Sequence, residues 1–210
     1  HNIKMSKVLI IVDAQNDFCE GGSLGVSGSN DIFKYINTLK KDKNLFSHVI
    51  LTKDWHPQKH VSFADTHERE PFTTIEINGK KQELWPVHCV AGSNGAQLSA
   101  LLSLDNTEYV INKGIEIDVD SYSGFYSDKD GKVELRDKLL EFKAKEVYCV
   151  GLAFDFCVGS TAIDSKAFGF ETFVIREGTK SVAQETALIM EEKLKLNKIP
   201  IISFESICSL

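Results

Sequence analysis

Four residues of the kinds that do acid–base or nucleophilic work stand at the ends of four β-like runs. Asp13 closes Val8-Leu9-Ile10-Ile11-Val12, Asp54 follows a run at 48–52, Lys113 ends one at 108–113, and Cys157 comes just after one at 146–151, where a helix begins. In an open α/β sheet ligands bind beyond the carboxyl ends of the strands, so the four would meet at one edge. A carboxylate there can take a thiol proton and an ammonium can hold the charge that results, which is the equipment of a cysteine hydrolase. Taken singly, each residue has a plainer reading: a turn or cap aspartate, a solvated lysine, a small buried cysteine. Their coincidence favours chemistry. At a helix N-terminus near a lysine, the Cys157 thiolate is expected to be favoured by both. Cys149, inside a strand, and Cys208, near the end, read as incidental, and Cys19 and Cys89 have no evident duty.

A second constellation is Asp54-Trp55-His56-Pro57 followed by Trp85-Pro86-Val87-His88-Cys89. One carboxylate and two imidazoles can hold a divalent transition metal and leave coordination positions open. Residues 54 and 56 lie two apart in an extended segment, so their side chains share a side. His60 and His67 read as surface or supporting histidines, and His48 as structural.

These residues need a frame, and the chain can build one. Its 210 residues suffice for one sizeable core, with 42% hydrophobic and 26% charged residues. Non-alternating apolar runs such as 8–12 read as strands buried on both faces, the mark of a parallel sheet covered by helices. Such runs at 7–13, 48–52, 108–113, 146–151, 172–176 and 199–203 alternate with helical patterns at 31–41, 133–142, 158–169 and 182–196. The expected fold is α/β: a doubly wound, mostly parallel sheet of about six strands with helices on both faces. Asn30 or Ser29 is expected to cap the first helix, Ser181 with Gln184 to form a capping box for the last, and residues 183, 187, 188 and 194 to give that helix its apolar face. The stretch 62–84 is a polar surface excursion whose Asn78-Gly79 signals a hairpin. Residues 5–210 read as a single domain and 1–4 as an expression remnant.

Net charge of −6 without a Lys/Arg block disfavours nucleic acid or an anionic membrane as partner. A small neutral substrate fits better. Five cysteines at unrelated spacings, with no apolar leader or bilayer-length run, point to a reducing, cytoplasmic setting. The oligomeric state, a homo-oligomer included, is left open.

Asp13-Ala14-Gln15-Asn16-Asp17-Phe18 resembles the opening motif of nicotinamidases (pyrazinamidases) in the isochorismatase-like cysteine hydrolase superfamily. So do Asp54-Trp55-His56-Pro57, Leu84-Trp85-Pro86-Val87-His88-Cys89, Lys113-Gly114, Asp120-Ser121-Tyr122-Ser123-Gly124-Phe125 and Val150-Gly151-Leu152-Ala153-Phe154-Asp155-Phe156-Cys157-Val158. The resemblance implies a triad of Asp13, Lys113 and Cys157, and one divalent metal on Asp54, His56 and His88, with Zn²⁺ first and Mn²⁺ or Fe²⁺ as alternatives. It implies a cis peptide between Leu152 and Ala153, with the amides of Ala153 and Cys157 forming an oxyanion hole. Phe18, Trp85 and Tyr122 match positions that line the ring pocket. The activity implied is hydrolysis of nicotinamide, with pyrazinamide as side substrate and the product feeding NAD salvage. The excursion is longer than in compact bacterial relatives, which leaves a fourth protein contact to the metal open among His60, Ser62 and Glu70.

Rival readings are a metal-independent N-carbamoyl or ureido hydrolase with the same triad, a flavodoxin-like module and a structural zinc site. Against the flavodoxin-like module, Gln15-Asn16-Asp17 stands where a Gly-rich phosphate loop would follow the first strand. Against the structural zinc, such a site wants four protein ligands, usually with thiolates.

Overall fold

The structure, a computed structural model, describes residues 6–208. The expected remnant at 1–4 and the expected domain limits at 5 and 210 lie outside the described residues. Six strands form one sheet: β1 (Ser6–Val12), β2 (His48–Asp54), β5 (Tyr109–Lys113), β6 (Ala144–Leu152), β7 (Glu171–Lys180) and β8 (Ile201–Ile202). Their order is β5-β2-β1-β6-β7-β8, and every pairing is parallel. The doubly wound α/β fold is therefore what the chain adopts.

The apolar run of β1 shows why no alternation was visible. Leu9 and Ile11 face one core, built with Ile32 and with Phe33, Ile36 and Leu39 of α1 (Phe33–Lys41) and closed by Ile207 of α5 (Phe204–Cys208). Val8, Ile10 and Val12 face the other, against Leu135 and Leu139 of α2 (Glu134–Glu141), Ala162 of α3 (Gly159–Ala167) and Met190 and Leu194 of α4 (Gln184–Leu196). Each such side chain, fully withdrawn from water, contributes roughly 1.5–3 kcal/mol relative to exposure. Gly151 sits where β6 passes closest to β1: its φ is +112° and a Cβ would strike the Val12 backbone. Only glycine permits that approach, which brings the end of β6 beside Asp13.

The excursion contains the expected hairpin, β3 (Thr74–Ile77) and β4 (Lys80–Glu83), paired antiparallel. Asn78 and Gly79 have φ of +51° and +76°, the left-handed pair that a two-residue hairpin turn requires. The last strand shrinks to two residues, and β7 runs four residues past Arg176.

Three local expectations fail. Ser29 does not cap a helix with its side chain: its Oγ accepts the Glu20 amide at 2.9 Å, and a 3₁₀ turn, Ser29–Ile32, leads into α1. The capping box at Ser181 and Gln184 does not form, because Ala183 is the N-cap residue of α4. The cap comes from a distant, buried carboxylate instead: Asp155 accepts the amides of Val182 (2.9 Å) and Ala183 (3.1 Å) and the hydroxyl of Thr186 (2.5 Å). The buried face of α4 is accordingly Ala187, Met190 and Leu194, and Leu188 is exposed. Asp155→Ala is expected to cost about 1–2 kcal/mol, a Tm loss of roughly 2–8 °C. Calorimetry showing an unchanged Tm would remove this cap from the account of α4.

Candidate active site

Asp13, one residue past β1, takes a left-handed backbone conformation with φ +47°. Its amide donates to the Thr52 carbonyl at 3.0 Å, and its Oδ1 accepts the Thr52 hydroxyl at 2.8 Å. Lys113, last residue of β5, is fully buried. Its Nζ lies 2.9 Å from Asp13 Oδ2, 2.6 Å from Asp54 Oδ1, 3.2 Å from the Ser121 carbonyl and 3.5 Å from Cys157 Sγ. Burial opposes the ammonium charge, but Asp13 and Asp54 outweigh it and hold the lysine's pKa well above its ordinary value. Removing either partner of such a buried pair leaves an uncompensated charge.

Cys157 lies in the turn Phe154–Val158 that leads from β6 into α3. Its Sγ and carboxylate oxygens of Asp13 and Asp54 are all within 4.8 Å of one another. The resting thiol differs from the sequence expectation. Burial pushes its pKa well above the ordinary value, and Asp13 and Asp54 push the same way against Lys113. Burial and two buried carboxylates outweigh the one ammonium, so the thiol is a weaker acid here than a free one. An acceptor is at hand: Asp13 Oδ2 pairs ionically with Lys113 but receives no aligned hydrogen bond. Burial also raises the Asp13 pKa, which makes this carboxylate a better base than an exposed one.

The metal-type donors converge one step away. Single ligand atoms of Asp54, His56 and His88 lie within 4.8 Å of one another, all three residues buried. His56 Nε2 is 3.4 Å and His88 Nε2 3.8 Å from Asp54 Oδ2. The far nitrogens are engaged: His56 Nδ1 meets the Gly114 carbonyl at 2.8 Å and His88 Nδ1 the Pro86 carbonyl at 2.7 Å. A carbonyl only accepts, so each Nδ1 carries the proton and each Nε2 offers its lone pair inward. That donor set, with the ring orientation fixed from behind, fits a divalent metal. His60 is buried, not at the surface, and stacks on His56 at 4.0 Å. Both its nitrogens are taken, by Ser62 Oγ (2.7 Å) and the Val119 carbonyl (2.8 Å), and Glu70 is exposed. His67 Nε2 meets the Val61 carbonyl, and His48 stacks on Phe142.

Each cluster reaches one small cleft of about 40 Å³, the first through Cys157 and the second through Asp54 and His88. Phe18, Trp85 and Tyr122 line it as expected, with Asp54 and His88 on one side and Ala153 and Cys157 on the other. The Leu152–Ala153 peptide is cis. Sequence reasoning missed Phe156, whose ring stands edge-on to Trp85 at 4.9 Å, and Leu24, Val26 and Val182, which also line the cleft. Phe156 could have been found from its place beside Cys157. Thr52 and Gln15 were also missed. The Gln15 side-chain amide donates to the Asp54 carbonyl (2.7 Å) and accepts the Asp54 amide (2.9 Å), locking the loop after β1 to the metal-type donors.

The isochorismatase domain family matches residues 7–205. The nicotinamidase of Acinetobacter baylyi is 40% identical over 182 residues, covering 86% of this chain and 84% of its own. Among solved structures, the nicotinamidase/pyrazinamidase of Acinetobacter baumanii superposes with a TM-score of 0.88 at 35% identity, covering 96% of this chain and 98% of the other. The pyrazinamidase of Pyrococcus horikoshii in complex with zinc does so with a TM-score of 0.80 at 31% identity, covering 94% and 99%. The fold of this chain is thus shared with these proteins, and the chain belongs to the isochorismatase family, among the nicotinamidases.

Proposed function

We propose that this protein hydrolyses nicotinamide to nicotinate and ammonia through a thioester on Cys157, with pyrazinamide as a side substrate. The observation that carries the reading is the contact of two clusters in one aromatic cleft: Asp13, Lys113 and Cys157 joined through Asp54 to His56 and His88. Asp13 Oδ2 takes the thiol proton as Sγ attacks the carboxamide carbon, and Lys113 holds the charge between them. The amides of Ala153 and Cys157 receive the oxyanion; one such donor contributes about 3 kcal/mol to the transition state. Asp13 returns the proton to the leaving nitrogen, ammonia departs, and the same carboxylate then activates the water that cleaves the thioester. Phe18, Trp85 and Tyr122 hold the ring. Asp54, His56 and His88 would hold one divalent metal, zinc before manganese or iron, and when bound it supplies a Lewis acid for the ring nitrogen. The three converging donors count against the metal-independent carbamoyl hydrolase.

Chelation tests this reading. Nicotinamide turnover is expected to collapse on removal of the metal and to return with Zn²⁺, Mn²⁺ or Fe²⁺. Benzamide, which lacks the ring nitrogen, is expected to be poor before chelation and little changed after it. Cys157 should still alkylate, since Lys113, whose ammonium favours the thiolate, remains in place. Equal loss for both amides would assign the metal to water activation or structure, and no loss for either would promote the carbamoyl-hydrolase reading.

A further inference from the structure

The hairpin has no part in the mechanism above, and its two strands bury little surface. Yet the last two residues of β4 both reach the same tripeptide of the pocket wall. Gln82 Nε2 donates to Asp120 Oδ2 at 2.9 Å, and the Tyr122 hydroxyl donates to Glu83 Oε2 at 2.9 Å. Between them the Ser121 carbonyl accepts from Lys113. The Tyr122 oxygen in turn accepts the Trp85 indole N–H at 3.2 Å. One half-buried carboxylate therefore anchors a relay that sets the angle of both rings, and Phe156 packs edge-on to each. With its donor on Glu83 and its acceptor on Trp85, the Tyr122 hydroxyl contributes to the pocket as the tether of a wall.

We propose that Glu83, seconded by Gln82, is a specificity-determining positioning residue: the hairpin clamps Asp120-Ser121-Tyr122, so that Tyr122 and Trp85, edge to face at 6.4 Å, are held as adjoining walls of the slot for a planar aromatic carboxamide. The substrate class rests on the nicotinamide reading; the clamp rests on the hydrogen bonds alone. A tether to the ring wall acts on binding, so its loss raises KM and leaves the thiol's intrinsic reactivity untouched.

The experiment compares Glu83→Ala, Glu83→Gln and Gln82→Ala with wild type on nicotinamide and toward iodoacetamide, a small reagent that needs no ring slot. Glu83→Ala is expected to raise KM about tenfold, the worth of one hydrogen bond to a charged group, with kcat within about twofold. Glu83→Gln keeps an acceptor for Tyr122 and should stay within about threefold of wild type. Alkylation of Cys157 should be unchanged in all three. An unchanged KM in Glu83→Ala, or a parallel fall in kcat and alkylation rate that reports general loosening, overturns the proposal. Should Glu83→Ala not fold, Gln82→Ala decides, with a KM rise of about threefold expected and an unchanged KM against it. If wild-type protein releases no ammonia from nicotinamide, the substrate reading falls by itself. The clamp is then tested by iodide quenching of Trp85 in a Trp55→Phe background: Glu83→Ala increases quenching if the clamp holds, and identical quenching overturns it.

Discussion

Cys157→Ala is expected to lower nicotinate release by about 10⁴- to 10⁶-fold while leaving the fold and the metal content as in wild type. The size of the loss follows from the absence of a substitute nucleophile: Cys89, the other thiol near the metal-type donors, is fully buried and burial holds its pKa far above the ordinary value. The mildness elsewhere follows from position. The substitution removes one sulfur from a 7% exposed side chain and touches none of Asp54, His56 or His88. Nicotinate quantified by chromatography and metal by elemental analysis, on the same preparation, check both halves. A rate near wild type would sink the nucleophile assignment.

Asp13→Asn and Lys113→Ala are both expected to lower turnover while moving the alkylation of Cys157 in opposite directions. The Asp13 carboxylate pushes the thiol's pKa up and the Lys113 ammonium pulls it down. Asparagine removes the push, so iodoacetamide should react faster at a given pH, although turnover falls roughly 10²- to 10⁴-fold for want of a base. Alanine at 113 removes the pull, so the alkylation profile should move to higher pH. That variant also leaves Asp13 and Asp54 facing each other across a void, at a cost of about 3–5 kcal/mol and a Tm loss of roughly 6–20 °C. Alkylation profiles measured from pH 6 to 10 decide the matter. Shifts of the same sign in both variants would refute the charge assignment.

The strands were legible in the sequence because both faces of β1 and most of the parallel sheet are covered, which leaves continuous apolar runs ended by polar residues. Asp13, Asp54, Lys113 and Cys157 could be assigned to one edge for the same reason, and Asn78-Gly79 announced its own turn. What stayed hidden was every choice made between distant segments. Asp155 outcompetes Ser181 and Gln184 at the start of α4 because its carboxylate meets two amides and a hydroxyl at once. Ser29 serves Glu20 and not its own helix. The thiol's raised pKa differs from the sequence expectation because it depends on burial and on the closeness of both Asp13 and Asp54, which spacing along the chain does not reveal. Asp54 in fact divides its oxygens, Oδ1 to Lys113 and Oδ2 toward the histidines.

The strand order carries a consequence for synthesis. β1 is translated first but lies in the middle of the sheet, between β2 and β6. Its second neighbour, paired as Lys7 with Glu146, arrives 139 residues later. Until then an apolar parallel edge stands open, and such distant pairings are slow to close. The base at 13 and the ammonium at 113 can sit side by side on β1 and β5 of an unfinished chain, joined through β2. The thiol cannot join them before residue 157 has left the ribosome and β6 has docked. Hydrolytic competence thus comes later than the pairing of base and cation, and a chain cut short before residue 157 has both but no nucleophile to use them.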